Sequence, residues 1–194
     1  MFKKDDGVID KVLNPFQITK SSMIEFKTGA PLEEGFYTFK KVIEMNVGGR
    51  YYTRYLIFSK LENEEFIIEI FMAENDQREI FIYKMVETMP FSEEFLNIVG
   101  QRFITTPDNI EYIRTIMPES EEHIDGIAGK AKVYDLQSGK IEREVGIKIW
   151  DYCRDNDGVQ EFLNIEMIED TGMFRIFSGE MLQEVFIKLY QGNG

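Results

Sequence analysis

Four acids, Asp151, Asp155, Asp157 and Glu161, form the best candidate carboxylate cluster in the sequence. Convergent oxygens of this kind are what a hard cation such as Ca²⁺ requires, and Asp155-Asn156-Asp157-Gly158 resembles a fragment of an EF-hand loop. The register argues against a loop of that type. With Gly158 at the sixth position, Cys153 stands first and Asn164 twelfth, where carboxylates are needed. A polar hairpin turn is the plainer reading, and no metal ligand is assigned.

Nucleophilic chemistry has little to work with. Cys153 and His123 are the only cysteine and the only histidine, so they are the one thiol–imidazole pair the chain offers, and nothing in their spacing brings them together. A Zn²⁺ site at His123 would need further nitrogen or sulfur ligands. Its surroundings, Glu121-Glu122 and Asp125, read as an exposed loop. There is no G-x-S-x-G elbow and no phosphate-cradling P-loop; Gly48-Gly49-Arg50 is too short for one. No catalytic residue and no cofactor is expected.

Two segments mix aromatic and polar side chains closely enough to line a groove. In Arg50-Tyr51-Tyr52-Thr53-Arg54-Tyr55, strand alternation puts Tyr52 and Arg54 on one face and Tyr51 and Tyr55 on the other. Trp150-Asp151-Tyr152 is the second. Arg50, Tyr52, Arg54, Trp150 and Tyr152 are therefore the candidate ligand- or partner-binding residues, with burial in the core as the competing fate for half of the aromatics.

These segments lie in a chain that reads mostly as strands. Phe36–Met45 and Arg50–Phe58 flank Asn46-Val47-Gly48-Gly49, whose glycines suit the positive φ angles of a hairpin turn. Glu65–Met72 and Arg78–Met85 flank an acidic turn, as do Glu161–Ile168 and Met173–Phe177; Ala131–Leu136 and Glu142–Trp150 flank Ser138-Gly139, and Val185–Tyr190 closes the chain. Ser92-Glu93-Glu94 caps a short helix ending at Gly100. Thr106-Pro107-Asp108 suggests a second helix through Tyr112 and Ile116, and Gly7–Leu13 a third.

The expected fold is mainly β (α+β), built of antiparallel sheets or partly open barrels with two or three short helices. A short extension or helix over residues 1–35 precedes a β-rich domain over 36–194. Glu65-Phe66-Ile67-Ile68-Glu69 echoes Glu161-Phe162-Leu163-Asn164-Ile165-Glu166. Two similar β units, 36–90 and 128–190 joined by a helical segment 91–127, would account for the echo; so would hairpin grammar alone.

Charge constrains the partners. The chain of 194 residues carries 22 basic and 35 acidic side chains, a net of −13. A surface this negative repels phosphate backbones, so direct nucleic-acid binding is not expected, while a basic protein partner would be attracted. No apolar run approaches the ~18 residues of a membrane span, there is no signal-peptide pattern at Met1–Gly7, and one cysteine forms no internal disulfide, so a cytoplasmic setting is expected.

The order of motifs resembles an uncharacterised bacterial family that includes the YjfK protein. The likeness rests on Arg50–Tyr55, the helix near Phe95, Tyr112-Ile113-Arg114-Thr115, Trp150-Asp151-Tyr152-Cys153-Arg154 and Glu161–Glu166, across most of residues 36–190. The sequence departs from the family where Thr115 and Ile116, rather than an aromatic, follow Arg114. The resemblance implies a bacterial accessory protein of unknown function working beside membrane-associated proteins of an envelope-stress complex, with no catalytic residues to carry over. The leading expectation is thus a non-enzymatic binding or accessory protein. The alternatives are an acidic nucleic-acid mimic that inhibits a basic enzyme, a small-ligand-binding β-barrel, or an enzyme whose site is assembled from scattered residues.

Overall fold

In several strands the apolar residues run on without alternating: Phe66, Ile67, Ile68 and Ile70 are all buried, as are Ile80, Phe81, Ile82 and Tyr83. A strand of that kind has both faces covered. The computed structural model, which describes residues 16–72, 78–115, 121–136 and 138–191, shows what covers them.

Eight long strands close into an antiparallel barrel. β2 (Gly35–Val47), β3 (Arg50–Ser59), β4 (Glu64–Met72) and β5 (Arg78–Met89) form one meander. β8 (Ile127–Asp135), β9 (Lys140–Asn156), β10 (Val159–Ile168) and β11 (Met173–Met181) form another. Pairing of β5 with β11 and of β2 with β8 joins the two meanders edge to edge and leaves the barrel no open edge. The mainly β architecture expected from the sequence is the one observed.

The remaining strands and the helix clothe the outside. β1 (Met23–Phe26) runs between β2 and β12 (Ile187–Tyr190), over a core containing Phe26, Tyr37, Phe39, Tyr55, Ile57 and Ile68. On the other side the helix α1 (Glu93–Val99) and the hairpin β6 (Phe103–Thr105) and β7 (Glu111–Arg114) pack with Trp150, Tyr152, Leu163, Ile165 and Phe174. Ser92 caps α1 by accepting from the amide of Phe95, as its sequence position suggests.

Two local expectations need correcting. Thr106-Pro107-Asp108 starts no helix: the amide of Asn109 donates to Thr106 O, Asn109 turns at φ 61°, and Tyr112 lies in strand β7. Pro107 fits a turn as well as a first helical residue, and cross-strand pairing decided the matter. β1, four residues between polar stretches, carried too little pattern to be read from the sequence. The expected Gly7–Leu13 helix lies outside the described residues.

The two ends of the barrel differ. At one end the strands are joined by tight turns with positive φ at both central residues, Gly48-Gly49 (57°, 81°) and Asp157-Gly158 (52°, 86°), which match the strand twist. At the other, three register shifts fall between Phe39 and Lys41, Val133 and Tyr134, and Ile176 and Phe177. Each inserts one unopposed residue (Lys40, Glu142, Val86), and such bulges bend the strand that carries them. The bulged end is the wide mouth of the barrel and the tightly turned end the narrow one.

Candidate functional site

Inward-facing positions of β3, β4, β9, β10 and β11 place a charged cluster across the barrel. Arg54 on β3 is 3% exposed; its Nε donates to Glu69 Oε2 on β4 (2.5 Å), its Nη1 to Glu166 on β10, and its Nη2 to Asn164 Oδ1 (3.3 Å). Arg175 on β11 reaches the second oxygen of Glu166 at 2.6 Å. Asn164 in turn donates to Asp151 Oδ1 on β9 (2.6 Å). The Arg54 guanidinium lies 5.8 Å from the ring centres of both Tyr83 and Phe177.

Burial acts differently on the three carboxyls. It opposes ionisation of Glu166, but the charges of Arg54 and Arg175 outweigh it and hold the group below its usual value. Glu69 and Asp151 are raised, because burial exceeds what Arg54 returns to Glu69 and what Asn164 and Arg54 return to Asp151. Burial likewise works against the charge of Arg54, and Glu166 and Glu69 overcome it, so Arg54 stays protonated.

This cluster separates the two mouths. The wide one is a half-open cavity of about 1030 Å³. Its wall is apolar, with Ile43, Leu56, Phe58, Ile67, Val133 and Phe177. Its rim carries Lys41, Lys84, Arg143 and Arg175 against Glu64, Glu65 and Glu142. Lys41 pairs with Glu142 (2.7 Å) and Lys84 with Glu64 (2.6 Å), whereas Arg143 has no carboxylate partner among the described residues. The narrow mouth is a cavity of about 200 Å³ bordered by Tyr52, Glu69, Phe71, Phe81, Asp151 and Phe162.

The candidate residues from the sequence fall in three places. Arg54 is at the centre of the cluster, with Tyr52 inside the narrow mouth and Arg50 exposed at its rim. Tyr55 faces the outer core and Tyr51 the solvent, as strand alternation requires. Trp150 and Tyr152 are fully buried in the outer core under α1, where the Tyr152 hydroxyl lies 2.8 Å from both Val99 O and Gln101 O; Tyr152 also borders the narrow mouth. Arg114 does similar work, donating to the carbonyls of Val99, Ile124 and Asp125.

Sequence reasoning missed Glu69, Asn164, Glu166 and Arg175. A signal was present, since Glu69 and Glu166 interrupt otherwise apolar runs. The Asp155–Gly158 segment is a hairpin turn in which the Gly158 amide donates to Asp155 Oδ1 (2.9 Å), and Glu161 is held by Arg154 and Asn156. Among the described residues no three His, Cys, Asp or Glu side chains are placed to hold a metal ion, no hydrogen bond joins His123 to Cys153, and no helix is long and apolar enough to cross a membrane. Comparison with family models, curated proteins and solved structures finds no match, so the likeness to the YjfK family rests on its short motifs alone.

Proposed function

We propose that the protein is a non-enzymatic binding protein that takes a small amphipathic anion into the wide mouth of its barrel. The observation that carries the proposal is an apolar wall around a cavity of about 1030 Å³ with Arg143, which has no carboxylate partner among the described residues, at its rim, in a chain of net charge −13. An eight-stranded barrel is just wide enough to hold one small ligand. The wall would receive an alkyl or aromatic body, and Arg143 and Lys84 a carboxylate or similar head group. The accessory-protein reading drew on the acidic surface and the family likeness; the cavity favours ligand binding.

Thermal shift with a matched series tests this: decanoate, decanol and decylammonium share one tail and differ only in head charge. A ligand at a hundredfold excess over its Kd adds about 2.7 kcal/mol, or about 5–11 °C in Tm for a chain of this size. Decanoate should produce such a shift and decylammonium none. Equal shifts from all three would reduce the rim to decoration, and no shift from decanoate would refute the proposal.

A further inference from the structure

The narrow mouth carries the opposite chemistry. Tyr52 and Phe71 lie 5.2 Å apart between ring centres, and Phe81 meets Phe162 edge-on at 4.9 Å and stacks with Tyr83 at 6.3 Å. Glu69 and Asp151 border the same cavity. Glu69 is 7% exposed; Arg54 holds one of its oxygens, and the other has no partner among the described residues. Asp151 likewise spends one oxygen on Asn164, and its second has no partner among the described residues.

Charge in the barrel interior does not balance. Arg54 and Arg175 face Glu69, Asp151 and Glu166, and Arg175 is committed to Glu166. One carboxylate is in excess, and burial, added to by repulsion from the neighbouring carboxylates, raises both Glu69 and Asp151. A cation entering from the narrow mouth would meet aromatic faces, which carry partial negative charge, with this excess carboxylate behind them.

We propose that the narrow mouth binds a small organic cation, an alkylammonium or quaternary ammonium ion, caged by Tyr52, Phe71, Phe81 and Phe162 and neutralised by Glu69 and Asp151. A cavity of about 200 Å³ admits an ammonium head with a short tail and is too small for a drug-sized molecule. An inorganic cation fits poorly, because most of the lining is hydrocarbon and hard ions demand several oxygens. Arg50 is the one cation among the described lining residues; it engages Tyr52 at the rim, where Glu79 also stands. Its position gives the site a signed test, because removing it should strengthen binding. The site is separate from the wide mouth and stands or falls independently of it.

The experiment is calorimetric titration of the full chain with choline and with dimethylbutanol, its uncharged carbon isostere, at low ionic strength. Choline should bind saturably and about tenfold or more tightly than the alcohol. Asp151→Asn keeps an acceptor for Asn164 and removes the charge, so choline should weaken about tenfold while the alcohol is unaffected. Arg50→Gln should tighten choline, and Tyr52→Leu, at a half-buried ring, should weaken it even if Asp151→Asn fails to fold. Absence of choline binding, equal affinity for the alcohol, or indifference to both Asp151→Asn and Tyr52→Leu would overturn the proposal.

Discussion

Replacing Arg54 by Met tests whether the interior cluster is held together as described. Met follows the alkyl stem of the arginine and is apolar, so the change removes charge and donors with a modest loss of volume. It deletes three hydrogen bonds, two of them to carboxylates, at a residue only 3% exposed. Glu166 keeps Arg175 at 2.6 Å, but Glu69 loses its one cation among the described residues. Breaking a buried pair from one side costs about 3–5 kcal/mol, which for a chain of this size is a fall in Tm of about 6–20 °C at neutral pH.

The pH dependence has a definite sign. In the native protein Glu166 sits below its ordinary value of 4.5, so its stabilisation is present above that value and is lost as pH falls through the folded pKa. In Arg54→Met Glu69, already raised, is pushed further up and Glu166 keeps Arg175 alone, and the penalty applies only when these carboxyls are ionised. The gap between native and variant should therefore be widest at pH 7 and narrow towards pH 4. Adding Glu69→Gln should restore part of the loss, since it removes the unpaired charge. Thermal unfolding followed by circular dichroism measures all of this. A deficit below about 1 kcal/mol at pH 7, or one that does not change with pH, would refute the reasoning.

Other outcomes follow from single contacts. A Cβ at Gly179 would sit 2.4 Å from Ile82 O and 2.4 Å from Tyr83 Cδ1, so Gly179→Ala should cost about 1–3 kcal/mol in urea unfolding through overpacking of the barrel wall. Tyr152→Phe strands the carbonyl of Gln101, leaves that of Val99 to Arg114 alone, and should cost about 1–2 kcal/mol, with faster amide exchange at the C-terminal turn of α1. Arg143→Gln combined with Lys84→Gln removes two charges from the rim of the wide mouth and should weaken decanoate by about tenfold or more in calorimetry with a loss of stability of at most about 1 kcal/mol, because both side chains are exposed and only Lys84 is paired.

Much of the barrel was legible before the structure was seen. Gly48-Gly49 and Asp157-Gly158 announce their turns because few other residues accept positive φ, and the aromatic and β-branched runs beside them carry the strands. Alternation alone placed Tyr52 and Arg54 on a common face. Closure was not legible, because the pairings that make it, β5 with β11 and β2 with β8, join residues far apart in sequence. The cluster was hidden for the same reason: Arg54 and Glu166 are separated by 112 positions, and a lone acid in an apolar strand does not name its partner. Trp150 and Tyr152 have the composition of a binding surface, and only the helix packed over them places their rings in the core.

The central claim, an anion in the wide mouth, is tested most directly by methyl NMR of the isoleucine, leucine and valine side chains during titration with decanoate. Ile43, Leu56, Ile67 and Val133 line that cavity, while Ile24, Ile57 and Ile68 belong to the outer core. The account predicts saturable shifts in the first group, with the second unmoved and decylammonium without effect. Shifts spread evenly over both groups, or none in the first at millimolar decanoate, would contradict it.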